Sequence, residues 1–327
     1  HTTEKHCRTC RTNIEAKHAL LRIASKAGIR IKTKPEYQKV IDSSRGWLQP
    51  TLGSPIPEGL TPIEVEYYDT VFETEESGTT LAGTEQVRLQ LVGEGAYAFV
   101  YRFTDPNYGI QIARKRLKKD ADPKEVERFR REFDIMERFD FPYILKVYRY
   151  DDSDNSYTME YCEHTLRDYI SHNNQKMPLW ARHKMAMQFL YAMNFLHKHG
   201  VYHRDLSYGN VLIHTYGDGG AFMVKVSDFG LAKERDSDLT STGSSMKGSI
   251  RDPFLGSFKD FGPVNDIYAI GFILNYILTS KESLIADGSR LSSIIQKCSA
   301  NNPSDRYQKV EDIIGEMKEL GNLQTMR

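Results

Sequence analysis

Between Asn210 and Asp228 the chain reads Val211-Leu-Ile-His214, then Gly217-Asp-Gly-Gly220, then an alternating run from Phe222 to Val226. Two alternating segments about a glycine-rich turn predict an antiparallel hairpin. Such a hairpin brings its outer ends together, so Asn210 and Asp228 must meet at the open end. One amide oxygen and one carboxylate at a single point make a hard-oxygen site suited to Mg²⁺, whose remaining ligands would be phosphate and water. Asp205, five residues before Asn210 in His203-Arg-Asp-Leu-Ser-Tyr-Gly-Asn210, reaches the same place.

The rest of the chain must build a scaffold around that point, and 327 residues with 39% apolar side chains supply a sizeable core. The 44 Lys and Arg balance 44 Asp and Glu, which disfavours disorder and a nucleic-acid binder working through bulk positive charge. Four cysteines are too few for a disulfide scaffold and suit a reducing compartment, so the expected location is cytoplasmic. The longest apolar stretch, residues 267–278, includes Asn275 and falls short of the roughly 20 residues of a membrane span. It is expected to be a buried core helix, and no membrane partner is expected.

Charge is unevenly spread. Residues 1–60 carry eleven Lys and Arg against five Asp and Glu, while 61–80 carry six acids and no base. A proline-containing stretch, 48–62, reads as an extended linker. The expected organisation is a small basic N-terminal module over 1–60, an acidic tether over 61–84, and a larger domain over 85–320. In that domain residues 87–92, 99–103 and 110–115 alternate as strands. A helix is expected over 123–139 with Pro123 in its first turn, followed by strands near 145–150 and 156–161. Beyond Pro178 the pattern is mostly helical. The fold class is α+β, in two lobes with a cleft between them: a β-rich N-lobe over 85–161 and an α-helical C-lobe over 162–320.

Gly93-Glu-Gly95-Ala-Tyr-Ala98-Phe-Val100 lies between two predicted strands, where glycines let backbone N–H groups approach phosphate oxygens. A dinucleotide-binding turn needs strand then helix and a third glycine, so that reading is excluded. Ala113 and Lys115 share one strand face. On the next helix Val126, Phe129, Phe133 and Met136 form an apolar stripe, and Glu132 lies on the same side. A carboxylate facing inward needs a cationic partner, and Lys115 is the candidate.

At these residues the chain resembles the protein kinase family, in its eukaryotic-like Ser/Thr branch, over about residues 85–320. The glycine-rich loop, Ile112-Ala-Arg-Lys115, the helix Glu132, His203-Arg-Asp-x-x-x-x-Asn210 and Asp228-Phe-Gly230 occur in the family's order. The resemblance implies a protein kinase using ATP with Mg²⁺, or Mn²⁺ in its place, and acting on Ser/Thr hydroxyls of proteins. It implies that Lys115 holds the α/β-phosphates and pairs with Glu132, that Asn210 and Asp228 hold the metals, and that Asp205 accepts the hydroxyl proton. It likewise implies nucleotide contacts from Gly93, Gly95, Ala98, Val100, Ala113, Glu160 and Cys162. Met159 would be the gatekeeper, and Asp266 the carboxylate that anchors the catalytic loop.

The departures are as specific. Ala98 replaces a third glycine. Ser207 stands where such kinases carry a lysine for the γ-phosphate, and Gly209 supplies no arginine instead. The Ala-Pro-Glu stretch is degraded to Asp252-Pro-Phe254, leaving Arg306 to find another acid, with Asp252 the candidate. A docking helix expected after residue 278 is shortened or absent. These departures leave two alternatives open: a nucleotide-binding pseudokinase scaffold, and a kinase-fold phosphotransferase acting on a small molecule or nucleic acid. Seven Ser and Thr between Asp228 and Pro253 favour protein, and Arg204 offers a partner for phosphate there, which implies autophosphorylation within 240–249. Finally, Cys7-Arg-Thr-Cys10 has the spacing of half a Zn²⁺ site, with two free thiols as the plainer reading. The basic module carries a net charge that an acidic or nucleic-acid partner would match, with a solvated face the plainer reading.

Overall fold

A computed structural model describes residues 31–33, 38–39, 42–43, 72–74, 87–119, 121–217, 220–229, 233–234 and 250–325. The chain divides into two compact units, His1–Gly83 and Thr84–Arg327. In the first, Ile31–Thr33 and Phe72–Thr74 pair as short antiparallel strands. The linker at 48–62 and the half Zn²⁺ site of Cys7 and Cys10 lie outside the described residues.

The second unit opens with five antiparallel strands: β1 (Gln90–Glu94), β2 (Ala98–Thr104), β3 (Gln111–Leu117), β4 (Val147–Asp151) and β5 (Ser156–Glu160), in the order β1-β2-β3-β5-β4. The alternation predicted from residue 87 pairs only from Gln90, opposite Arg102, and a register shift between Leu91 and Gly93 bulges the edge strand. Helix α1 (Pro123–Glu137) packs on this sheet. Its start is written in sequence: Pro123 opens the first turn, Glu125 N–H donates to the Asp122 carboxylate at 2.8 Å, and Asp122 N–H donates back to Glu125 at 3.0 Å. Phe129, Phe133 and Met136 are buried, and so is Glu132.

A helical lobe follows. α2 (Leu166–Asn173), which the reading from Pro178 onward did not anticipate, and α3 (Leu179–Lys198) precede two small sheets. One joins β6 (His164–Thr165) to the predicted hairpin, β8 (Val211–Tyr216) and β9 (Ala221–Val226); the other pairs β7 (Val201–Tyr202) with β10 (Lys233–Glu234). The apolar stretch is the core helix α4 (Pro263–Thr279), buried along nearly its whole length, and it ends at Ser280 with φ 61°. No described helix is long and apolar enough to cross a membrane. Arg182, buried on α3, donates to Ile277 O at 2.7 Å, so a cation caps the carboxyl end of α4. No helix stands between α4 and α5 (Arg290–Cys298), so the docking helix is absent; α6 (Val310–Thr325) closes the lobe.

The degraded stretch keeps its anchor. Arg306 reaches Asp252 with two bonds, Nη1 to Oδ2 at 2.5 Å and Nη2 to Oδ1 at 3.0 Å, and both side chains are fully buried. Asn265 and Phe254 N–H also donate to Asp252, and these bonds overcome the burial that would raise its carboxyl, holding it below the usual carboxylate range. Asp252→Ala leaves a buried guanidinium without its carboxylate and is expected to lower stability by about 3–5 kcal/mol. Urea denaturation checks this; an unchanged midpoint would show that the pair contributes nothing.

Candidate active site

The Lys115 ammonium on β3 lies 2.5 Å from Glu132 Oε1 on α1 and 3.5 Å from Asp228 Oδ1 beyond β9. Three elements distant in sequence thus converge on one charge. Burial works against the lysine's charge, yet the carboxylates of Asp228 and Glu132 outweigh it and hold its pKa above the ordinary value. Burial raises the Glu132 carboxyl, with Lys115 pulling back. Burial would raise Asp228 too, but Lys115, with His203 and Arg128 behind it, holds it below the usual range.

Tyr157 on β5 was not singled out from sequence. Its hydroxyl donates to Glu132 Oε1 at 2.6 Å, and burial beside that carboxylate drives its pKa far up, keeping the phenol a donor. Tyr157 lies two residues before Met159, so strand parity puts both on one face. The Lys115 ammonium also sits 5.8 Å from the Phe129 ring centre and 5.9 Å from that of Tyr157.

The loop carrying Asp205 is held from beneath. Asp266, at the amino end of α4 and 1% exposed, accepts His203 N–H at 2.8 Å and Arg204 N–H at 3.0 Å, while His197 Nε2 lies 2.9 Å away. His203 packs on Phe229, and its Nε2 lies 2.9 Å from Ser227 O. Arg204 and Asp228 both take left-handed backbone, φ 68° and 64°, strained for residues with a Cβ. Burial pulls the Arg204 guanidinium down to about 10, with Asp266 opposing. Asn210 Nδ2 donates to Asp205 O at 2.7 Å and to Asp205 Oδ2 at 3.3 Å. Ser227 N–H donates to Asn210 O at 2.9 Å, so the hairpin does bring Asn210 to the segment bearing Asp228. The Ser207 hydroxyl accepts N–H groups of Gly209 at 3.2 Å and Asn210 at 3.1 Å.

Lys115, Glu132, Asp205, Asn210 and Asp228 share the lining of one cavity of about 700 Å³ with Gly95, Ala98 and Val100 of the β1–β2 hairpin. Gly93, Ala113, Glu160 and Cys162 stand outside that lining. Gly93 pairs with Val100, and Ala113 is buried opposite Met159. The Glu160 carboxylate pairs with Lys225 at 2.7 Å and accepts Lys146 N–H at 2.8 Å. Burial, with Glu160 beside it, pushes the Cys162 thiol up, so it stays protonated. Gly230 and the stretch 235–249, which holds the predicted phosphorylation window, lie outside the described residues.

Chemically, the cavity sets the Lys115 ammonium and the oxygen-bearing side chains of Glu132, Asp205, Asn210 and Asp228 around a space under a glycine-containing hairpin. That donor set fits a metal-chelated polyphosphate: the ammonium suits phosphate oxygens, and Asn210 with Asp228 offers hard oxygen to a divalent cation. Comparison with known proteins agrees. Residues 87–321 match the protein kinase domain profile. The chain is 29% identical to the serine/threonine-protein kinase PrkC of Bacillus subtilis, an alignment covering 74% of this chain and 41% of PrkC. It is 27% identical to a probable serine/threonine-protein kinase of Clostridium perfringens over 73% of this chain and 39% of that protein. It is 31% identical to the serine/threonine-protein kinase PLK4 of Xenopus laevis over 61% of this chain and 21% of PLK4. The chain therefore spans about two fifths of the length of the bacterial relatives it matches. With the α+β lobes, the cavity between them and a profile match across most of its length, this chain belongs to the protein kinase domain family.

Proposed function

We propose that this protein transfers the γ-phosphoryl group of ATP to serine and threonine hydroxyls of proteins. The observation that carries the reading is the convergence of Lys115 on Glu132 and Asp228 in the cavity that also holds Asp205 and Asn210. A scaffold that had lost catalysis would have no need to keep all five, which disfavours the pseudokinase reading. The names of the relatives, all serine/threonine-protein kinases, support protein as the substrate class. The two free thiols among the described residues, Cys162 and Cys298, suit a reducing compartment, and we place the protein in the cytoplasm.

In this reading each side chain has a distinct task. Lys115, kept charged by its two carboxylates, orients the α/β-phosphates. Asn210 and Asp228 hold Mg²⁺, or Mn²⁺, and the metal supplies neutralisation of phosphate charge when bound. Asp205 takes the proton from the acceptor hydroxyl, and its place is fixed by Asn210 at its carbonyl and by Asp266 under the two preceding amides. Gly95, whose N–H donates to Ala98 O at 2.8 Å, keeps the hairpin tip tight over the cavity. The Ser and Thr of 240–249 are the acceptors for autophosphorylation, and Arg204 is the charge-assisted partner for the phosphate so placed.

Radiolabelled ATP with Mg²⁺ and a protein lysate tests the reading. Wild type is expected to label protein, and Asp205→Ala to lower the rate by about 10²- to 10⁴-fold; equal labelling by both would remove Asp205 from the chemistry, and label appearing only on a metabolite or RNA would move the substrate class. Phosphopeptide mapping of the protein after incubation with ATP and Mg²⁺ is expected to find phosphate between residues 240 and 249. Phosphate only elsewhere would end the autophosphorylation assignment.

A further inference from the structure

We infer that Arg128 is the cation that grips the terminal phosphate of the nucleotide, a task Ser207 cannot perform; the inference rests on the phosphotransfer reading above. The transferring phosphoryl spreads negative charge over three oxygens, and one fixed donor there is worth about 10²-fold in rate. Lys115 is already engaged by Glu132 and Asp228. Ser207 offers a short neutral hydroxyl whose oxygen is turned into its own loop by the N–H groups of Gly209 and Asn210.

Arg128 stands on α1 four residues before Glu132, so it projects from the same face one turn away. It lines the same cavity as Lys115, Ser207 and Asp228. Its guanidinium carbon lies 5.2 Å from the ring centre of Tyr97, in the loop between β1 and β2, which holds the charge where that loop covers the cavity. A planar guanidinium presents two parallel donors to two phosphate oxygens, which a single hydroxyl does not. Helix α1 thereby carries both the carboxylate that orients Lys115 and the cation for the outermost phosphate.

The test compares wild type, Arg128→Met, Arg128→Lys and the double variant Arg128→Met/Ser207→Lys. Calorimetry measures the affinity of each for Mg·ADP and for a Mg-bound, non-hydrolysable imido analogue of ATP, and turnover is followed separately. Arg128→Met is expected to lose about tenfold or more in affinity for the triphosphate analogue while binding ADP within about twofold of wild type. Its turnover should fall about 10²-fold, and Ser207→Lys should restore both quantities to within about threefold. Arg128→Lys, which keeps the charge, should retain a preference for the triphosphate even if Arg128→Met proves too unstable to bind either nucleotide. Undiminished triphosphate affinity in Arg128→Met, or loss of the preference in Arg128→Lys, overturns the assignment. So does a loss that Ser207→Lys leaves unrepaired, as would follow if Arg128 served phosphate on the activation segment. A wild type that binds both nucleotides in this Arg128-dependent way yet transfers nothing would sink the phosphotransfer reading while leaving Arg128 in place.

Discussion

A buried ammonium needs carboxylates, and the N-lobe is arranged around that need. Lys115 comes from the middle of the sheet, Glu132 from α1 and Asp228 from beyond β9, so satisfying one charge ties three elements together. Removing one partner of such a pair costs about 3–5 kcal/mol, because the other charge stays buried and unmatched. Tyr157 strengthens the arrangement from a fourth direction. Its hydroxyl occupies the same Glu132 oxygen that Lys115 approaches, so the carboxylate has little freedom to rotate out. The inward position of α1 is therefore held by the sheet itself as well as by the lysine.

The C-lobe solves a different problem, the support of strained backbone. Left-handed conformations at Arg204 and Asp228 cost of order 1–3 kcal/mol each, and a loop left to itself would relax. At Arg204 Asp266 prevents this with two backbone hydrogen bonds, and it can do so because α4 is buried almost end to end. Arg182 at the other end of α4 and the Arg306–Asp252 pair beside its start fix that helix in turn. Asp252 also accepts from Asn265, one residue before Asp266, so the anchor of the degraded Asp252-Pro-Phe254 stretch and the anchor of the catalytic loop are neighbours on one helix.

How much of this is legible in sequence depends on whether a contact follows from a local period. The hairpin that unites Asn210 and Asp228 follows from alternation about a turn, and the inward Glu132 follows from helical spacing. The partner of Arg306 is legible only through the family resemblance, which leaves Asp252 of the degraded stretch as the candidate acid. Tyr157 escapes because a strand tyrosine reads as an apolar filler: parity gives its face, but nothing local says that its hydroxyl meets a carboxylate 25 residues away. Glu160 escapes in the opposite sense. Its place beside Met159 is legible, but the pair it makes with Lys225 on β9 depends on how the lobes pack. α2 escapes because eight residues opened by a Thr165 cap are too few to show a period.

Charge balance gives the absence of a lysine at Ser207 its weight. Among the described residues the cavity lining carries five carboxylates, Glu94, Glu125, Glu132, Asp205 and Asp228, against two cations, Lys115 and Arg128. Each of the five has a protein partner: Glu132 and Asp228 pair with Lys115, Glu94 pairs with Lys118, Glu125 closes its helix cap, and Asp205 accepts from Asn210. Two of these charges, Asp205 and Asp228, lie at the end of the cavity that holds Asn210. A triphosphate brought there without counter-charge would be repelled, whereas one chelated to a divalent cation brings its own neutralisation to oxygens that suit it. A lysine at 207 would relieve the repulsion from within the catalytic loop. Without it, relief has to enter with the metal or descend from α1, and it is then the position of that helix that decides how well the cleft receives its charge.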